Sequence, residues 1–165
     1  MKKINVLGVG AALVDRQFSI EDNLLEELKL KKGSMDLKDQ ETQNQIYEKL
    51  TQLYGSSEDA CGGSSTNTIY AASILGSSCS FIGKVANDFN GKFYVENLHG
   101  ANIKNKCMSL DKGVSGSCLV MVSPDAERTM STFLGISSEL KISDLDENMI
   151  EEAEIVYLEA YLVSS

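Results

Sequence analysis

Two carboxylates, a glycine pair and an asparagine carry the chemistry that this chain is expected to do. Asp15 follows a short apolar run, Gly62, Gly63 and Asn67 stand in CGGSSTNTIYAASILG (Cys61 to Gly76), and Glu159 and Tyr161 stand in IVYLEAYL. A carboxylate accepts hydrogen bonds from vicinal hydroxyls. A glycine pair lets the backbone take positive φ and approach a ligand closely. Placed directly before a helix, such a turn aims N–H groups and the positive end of the dipole outward, where polar oxygens bind. Tyr161 can stack on a base or sugar face. Each residue also has a plainer use: Gly-Gly as a tight turn, Asp15 as a turn residue, Glu159 as a loop carboxylate, Tyr161 as a core ring.

The elements that must position these residues follow from periodicity. Ile4 to Gly10 is a nearly continuous apolar run, which predicts the first strand of a parallel sheet, with Asp15 just beyond its carboxyl end. Helices are predicted over Ile20 to Leu30 and from about Asp39 to Tyr54, the second with Ile46, Leu50, Leu53 and Tyr54 on one face, and a short strand between them over Gly33 to Leu37. GSSED (55–59) is a polar loop. In the helix after the glycine pair, Ser64 is the expected cap, Ile69, Ala72 and Leu75 the core-facing residues, and Gly76 the αL stop. Phe81 to Val85 is a further strand, and Asn87 or Asp88 caps a helix to about His99 with Phe89, Phe93 and Leu98 inward. Ser115 to Ser123 and Arg128 to Leu134 form a hairpin about Pro124 and Asp125. A capping box at Ser143 and Asp146 starts a helix, and Ile155 to Leu158 is a buried strand.

Composition removes several classes. The chain has 165 residues and a net charge of −9, so a phosphate backbone is repelled and nucleic acid is not an expected partner. No apolar run approaches the roughly 20 residues that span a bilayer, and the amino-terminal stretch is too short and polar for a secretory signal, so a cytoplasmic protein with no membrane contact is expected. The four cysteines are widely spaced without a CxxC pair, which points to free thiols and against zinc. His99 is the single histidine, so a hydrolytic triad would rest on one residue. VLGVGAALVD lacks the third glycine of a dinucleotide fingerprint, with Leu13 in its place.

The string CGGSSTNTIYAASILG resembles the amino-terminal signature of the ribokinase-like (PfkB) carbohydrate kinases, and GKVANDFNGKFYVENLHGANI resembles the family's next motif. KGSM (32–35), PDAERTM and YLEAYL are similar to the adenosine-kinase-like branch, so the resemblance runs from Ile4 to Leu162. It implies an α/β fold: a three-layer α/β/α Rossmann-like core, its sheet incomplete, with a small β-sheet lid from segments near 15–37 and 115–134. It implies ATP-dependent phosphorylation, with Mg2+, of a primary hydroxyl on a nucleoside or ribose-type sugar. The substrate-binding residues are then Asp15, Gly62, Gly63, Asn67, Glu159 and Tyr161, and dimerisation through the lid is an expectation. Arg128 is either an anion contact or an exposed strand charge.

The sequence departs from that family in two places. Ala11 stands where nucleoside-specific members often carry an asparagine. The Gly-Ala-Gly-Asp motif, whose aspartate is the general base and whose N–H groups form an anion hole, is not found in the 165 residues. The expectation is therefore one amino-terminal part of a ribokinase-like domain, residues 1–165, that supplies the substrate-binding half, holds no catalytic or metal residue and is inactive alone. The alternative is a sugar- or nucleoside-binding module without catalysis.

Overall fold

A computed structural model describes residues 3–110 and 112–163. In chain order the elements are β1 (Ile4–Val9), β2 (Leu13–Ser19), α1 (Asn23–Glu27), β3 (Met35–Leu37), α2 (Gln40–Tyr54), β4 (Glu58–Gly62), α3 (Ser64–Ile74), β5 (Cys79–Ala86), α4 (Phe89–Gly100), β6 (Lys104–Leu110), β7 (Gly116–Val122), β8 (Arg128–Phe133), α5 (Glu147–Glu152) and β9 (Ala153–Leu158), with short 3-10 turns at Gly135–Glu139, Ile142–Asp144 and Ala160–Val163. The chain divides into two compact units. The first takes the chain up to Leu13, Cys61–Gly116 and everything from Leu134 on; the second is Val14–Ala60 with Ser117–Phe133.

The first unit is built on a parallel sheet in the order β6-β5-β1-β9. Its central strand β5 is buried along its whole length, as a strand covered on both faces must be. Leu7, Val9 and Ile82 share one face, and together with Ile4 and Ala153 they pack with Leu140, Leu145, Met149 and Ile150 of the chain that returns over the sheet. Helices α3 and α4 are held by Ile69, Tyr94 and Leu98, all fully buried. A buried ion pair fastens the returning segment: Lys84 Nζ on β5 lies 2.7 Å from the Asp144 carboxylate and donates to the Glu139 carbonyl.

The second unit is a sheet in the order β3-β8-β7-β2-β4, in which β7 and β8 form the antiparallel hairpin. One face packs Phe18, Ile20, Leu119 and Met121 against α1 and α2 through Leu24, Leu25, Ile46 and Leu50. Gln43 is buried in that layer, where its amide donates to the Ser131 carbonyl and its Oε1 accepts from the Ser131 hydroxyl. The KGSM stretch has a structural reason. Gly33 takes φ +75 and donates to Thr129 Oγ1, which turns the chain into β3 beside β8.

Three helix ends follow the Schellman motif. Residues at positive φ stop α1 at Lys29, α3 at Gly76 and α4 at Asn102, and the next residue donates back to the helix: Leu30 to the Leu25 carbonyl, Ser77 to Ala72 and Ile103 to Leu98.

Several expectations are corrected by these packings. Asp15 does not lie at the end of the first strand but inside a second strand, β2. The helix expected over Ile20 to Leu30 spans only Asn23–Glu27, because Lys29 at φ +54 ends it. Residues 58 and 59 of the expected loop begin β4. The cap of α3 is Gly63, and Ser64 is its first residue. Leu75 is 86% exposed because it sits in the turn after α3. Phe89 is 74% exposed. The phase of α4 is set by Gly91, where any Cβ would lie 2.0 Å from the Ala86 carbonyl, so Gly91, Tyr94 and Leu98 form the inward face. On α2 the buried stripe is Gln43, Ile46 and Leu50, and it ends before Leu53 and Tyr54. Ser143 lies in a 3-10 turn, and Asp146 caps α5 by accepting from Asn148 and Met149 N–H. β9 is an edge strand, and residues 154–158 are exposed rather than buried.

Candidate functional site

In the first unit the sequence-predicted residues gather at the carboxyl end of β1. Gly10 and Ala11 close that strand, and the chain reaches the same place again through the Gly62-Gly63 turn and through Glu159 after β9. Glu159 is 3% exposed, donates its own N–H to the Val9 carbonyl, and accepts from Ala11 N–H through Oε2 at 2.9 Å. A Cβ on Gly10 would stand 2.3 Å from that oxygen and 2.7 Å from the Ser65 Cβ, so only glycine leaves the carboxylate its place. Gly63 takes φ +94, and a Cβ there would stand 2.6 Å from the Ala11 carbonyl. The backbone of the α3 amino terminus is thereby held against the backbone of the β1 end.

The amino terminus of α3 has no side-chain cap; Gly63 fills the cap position and its carbonyl accepts from Asn67 N–H. Asn67 is exposed in the first turn, with Ser64 and Thr68 beside it on the outer surface. The inner side of the same turn is anchored by Thr66, whose hydroxyl pairs with the Tyr94 hydroxyl inside the core. Burial holds the Tyr94 phenol well above its ordinary value, so the hydroxyl remains protonated. The turn therefore presents backbone and an amide outward from a rigid base. Tyr161 is largely exposed in the 3-10 turn that follows Glu159.

The second motif of the chain supports this unit. Asp88 accepts from Gly91 N–H, which caps α4, and from Ser115 N–H, both at 2.8 Å. Burial alone would raise its carboxyl, but the Ser115 and Gly91 donors hold it below the usual carboxylate range. Asp88 thus ties the start of α4 to the entry of β7.

In the second unit Asp15 lies on the sheet face turned away from α2, since its strand neighbours Arg16 and Phe18 pack against Tyr47 of that helix. Its surroundings are ones that sequence reasoning missed. Cys118 and Thr132 are opposite each other on β7 and β8, the Thr132 hydroxyl lies 3.3 Å from the Cys118 thiol, and Val122 and Arg128 are opposite on the same face. Burial pushes the Asp15 carboxyl up to about 6, with the Arg128 guanidinium pulling it back. Burial likewise pushes the Cys118 thiol up to about 11. Asp15 is thus a half-buried acid whose charge is costly to the folded unit and is answered by one cation. The available signal for this cluster was the alternation in SGSCLVMV and RTMSTF, which puts Cys118, Thr132 and Arg128 on one face once the hairpin register is known.

Among the described residues no group of three or more His, Cys, Asp or Glu side chains is gathered to hold a metal ion, so no metal step is assigned to these side chains. Among the described residues no helix is long and apolar enough to cross a membrane.

Comparison with known proteins agrees with the motifs. The model of the pfkB family carbohydrate kinases matches residues 31–165. The guanosine-inosine kinase of Escherichia coli K12 is 24% identical over 163 residues, which is 96% of this chain and 37% of that protein. The crystal structure of adenosine kinase from Sinorhizobium meliloti superposes with a TM-score of 0.90 at 30% identity, over 98% of this chain and 48% of that one. A probable sugar kinase from Rhizobium etli CFN 42 superposes with a TM-score of 0.92 at 28% identity, over 99% and 49%. The chain thus spans less than half the length of these relatives. The fold is the ribokinase-like α/β fold, and with the family model covering all but the first 30 residues, the glycine turn and the Asp88 motif included, this chain belongs to the PfkB family of carbohydrate kinases.

Proposed function

We propose that this chain is the substrate-binding part of an ATP-dependent kinase that phosphorylates the primary hydroxyl of a purine nucleoside, or of a ribose-type sugar. The observation that carries the reading is the α3 amino terminus. It is uncapped by any side chain, built on Gly63 at φ +94 and fixed from behind by Ala11 and Glu159, which makes a preorganised surface of backbone N–H groups for polar oxygens. Among relatives, the names guanosine-inosine kinase and adenosine kinase favour a nucleoside.

The residues take separate parts. Gly62, Gly63 and Asn67 contact hydroxyls, Glu159 positions the strand end beside them, and Tyr161 stacks on a ring face. Asp15 accepts from vicinal hydroxyls. ATP and Mg2+ supply the phosphoryl group and its charge neutralisation when bound; nothing in the described side chains is assigned to them, and this chain alone is expected to be inactive.

Calorimetric titration with adenosine, guanosine and ribose tests the reading, with Asp15→Ala as the control. A nucleoside that binds the natural chain and binds the variant at least tenfold more weakly is the expected result. Equal binding to both, or no nucleoside binding by a chain shown to be folded, overturns it.

A further inference from the structure

Helix α3 carries the proposed ligand surface at its amino terminus, yet little apolar packing holds it in place. Of its eleven residues Ile69 is the one fully buried apolar side chain, and Ile74 stands in solvent, as does Leu75 after it. Apolar contact is non-directional, so it seats the helix on the sheet without aiming its first turn. Hydrogen bonds are directional, and they join this stretch to α4 at three points. Cys61 Sγ lies 3.6 Å from the Tyr94 carbonyl just before the glycine pair, the Thr66 hydroxyl pairs with the Tyr94 hydroxyl in the turn after it, and the Ser73 hydroxyl donates to the Ala101 carbonyl at the far end. Tyr94 thus grips the chain on both sides of Gly62 and Gly63.

The sequence places that ring with little freedom. Gly91 brings α4 onto the Ala86 carbonyl and turns Tyr94 inward. There the ring lies against Phe81, centroids 5.8 Å apart, and is fully buried. A tyrosine ring is rigid, so packing that fixes the ring also fixes its hydroxyl. Thr66 is the matching half. A helical threonine ordinarily directs its hydroxyl to the carbonyl one turn behind it, as Thr68 does to Ser64. Thr66 instead reaches across to α4, and both hydroxyls are buried where each needs the other. Phenylalanine at 94 and valine at 66 would fill the same space without this tie.

We infer that Tyr94 is a positioning residue for the nucleoside site proposed above: its carbonyl, met by Cys61, and its hydroxyl, met by Thr66, hold the glycine turn and the first turn of α3 between them, and so aim the ligand-facing N–H groups and Asn67. For its ligand the inference rests on that reading of the α3 amino terminus; for its geometry it rests on the core contacts alone. Tyr94 touches no ligand and acts through Thr66 and the backbone that Thr66 anchors.

Amide hydrogen exchange and calorimetry on a set of variants test this. Tyr94→Phe and Thr66→Val each strand one buried hydroxyl, whereas the double variant leaves an apolar pair and is expected to recover most of the stability that the single variants lose. Thr66→Ser keeps the hydroxyl, and Ser73→Ala cuts the tie at the other end of α3. The Asn67 N–H, which donates to the Gly63 carbonyl, is expected to exchange at least about tenfold faster in both single variants and in the double variant, relative to the β5 amides of the same protein, and to stay unchanged in Thr66→Ser and Ser73→Ala. Affinity for adenosine or guanosine, whichever the natural chain binds, is expected to fall at least about tenfold in the same three variants and in neither of the others. Natural Asn67 exchange in the double variant, or undiminished affinity in it, overturns the inference, because a role in stability alone gives both. If the natural chain binds no nucleoside, the substrate reading fails, and the exchange pattern alone then decides whether Tyr94 positions the turn.

Discussion

Replacing Asp15 by asparagine is expected to make the protein more stable at neutral pH and worse at binding. Burial raises the Asp15 carboxyl from 3.8 to about 6, with Arg128 opposing. That rise corresponds to about 3 kcal/mol between the protonation states, and partial exposure of the residue reduces the working figure to about 1–3 kcal/mol. The sign follows from linkage: the folded chain holds this proton more tightly than the unfolded chain does. The contribution of Asp15 to stability is therefore least unfavourable below about pH 4, worsens as pH rises towards 6, and is constant above that. Asparagine carries no such dependence. Urea unfolding of the natural chain and Asp15→Asn between pH 4 and pH 8 is expected to show a gap of about 1–3 kcal/mol at pH 7.5 that closes near pH 4. Arg128→Ala is expected to lower stability at pH 7.5, because it removes the counter-charge. A gap independent of pH, or one that widens on acidification, refutes the argument that Asp15 is a charge held against its environment.

Gly63→Ala puts a Cβ against the Ala11 carbonyl at φ +94 and is expected to destabilise by about 2–3 kcal/mol in urea and to abolish nucleoside binding in calorimetry. Glu159→Leu leaves Ala11 N–H buried without its acceptor and is expected to lower stability by about 1–3 kcal/mol, whereas Glu159→Gln keeps an acceptor oxygen and most of that stability. Lys84→Met strands the Asp144 carboxylate in the core for about 3–5 kcal/mol, and the double variant with Asp144→Leu is expected to regain more than half of the loss, read from urea midpoints. Lys29→Gly relieves a positive φ at the end of α1 and is expected to raise the melting temperature, by about 0.5–1 kcal/mol in stability.

What was legible in the sequence was whatever local rules decide. The run Ile4 to Gly10, the helix from about Asp39, the hairpin about Pro124 and the αL stop at Gly76 depend on residues a few positions apart, and the structure has them close to where they were expected. What was not legible depends on partners far along the chain. The phase of α4 is decided by the Ala86 carbonyl against Gly91, so the more apolar Phe89 lost the core to Tyr94. The stretch LVDRQFS alternates weakly and was not read as a strand, since its pairing with β7 and β4 is what makes it one. That miss displaced Asp15 from a strand end to a strand interior. β9 failed in the opposite sense, because an apolar run predicts a strand correctly but says nothing about what covers it.

The glycines and the carboxylate of the first unit also change what a motif residue means. Gly10, Gly63 and Glu159 are up to 149 positions apart in the chain, yet they are linked through one strand end: Glu159 needs the bare Cα of Gly10, and Gly63 needs its bare Cα beside the carbonyl of Ala11, whose N–H Glu159 holds.

 A side chain at either glycine, or the loss of the one at Glu159, would shift the others, so substitutions there are expected to be non-additive. The surface that meets a ligand is backbone, and backbone is placed by residues behind it. A variant that weakens binding at Gly10 or Glu159 therefore reports on the position of the α3 amino terminus, and only substitutions at exposed groups such as Asn67 report on contact itself. Separating the two needs stability and affinity measured on the same variants, because a positioning residue moves both and a contact residue moves affinity alone.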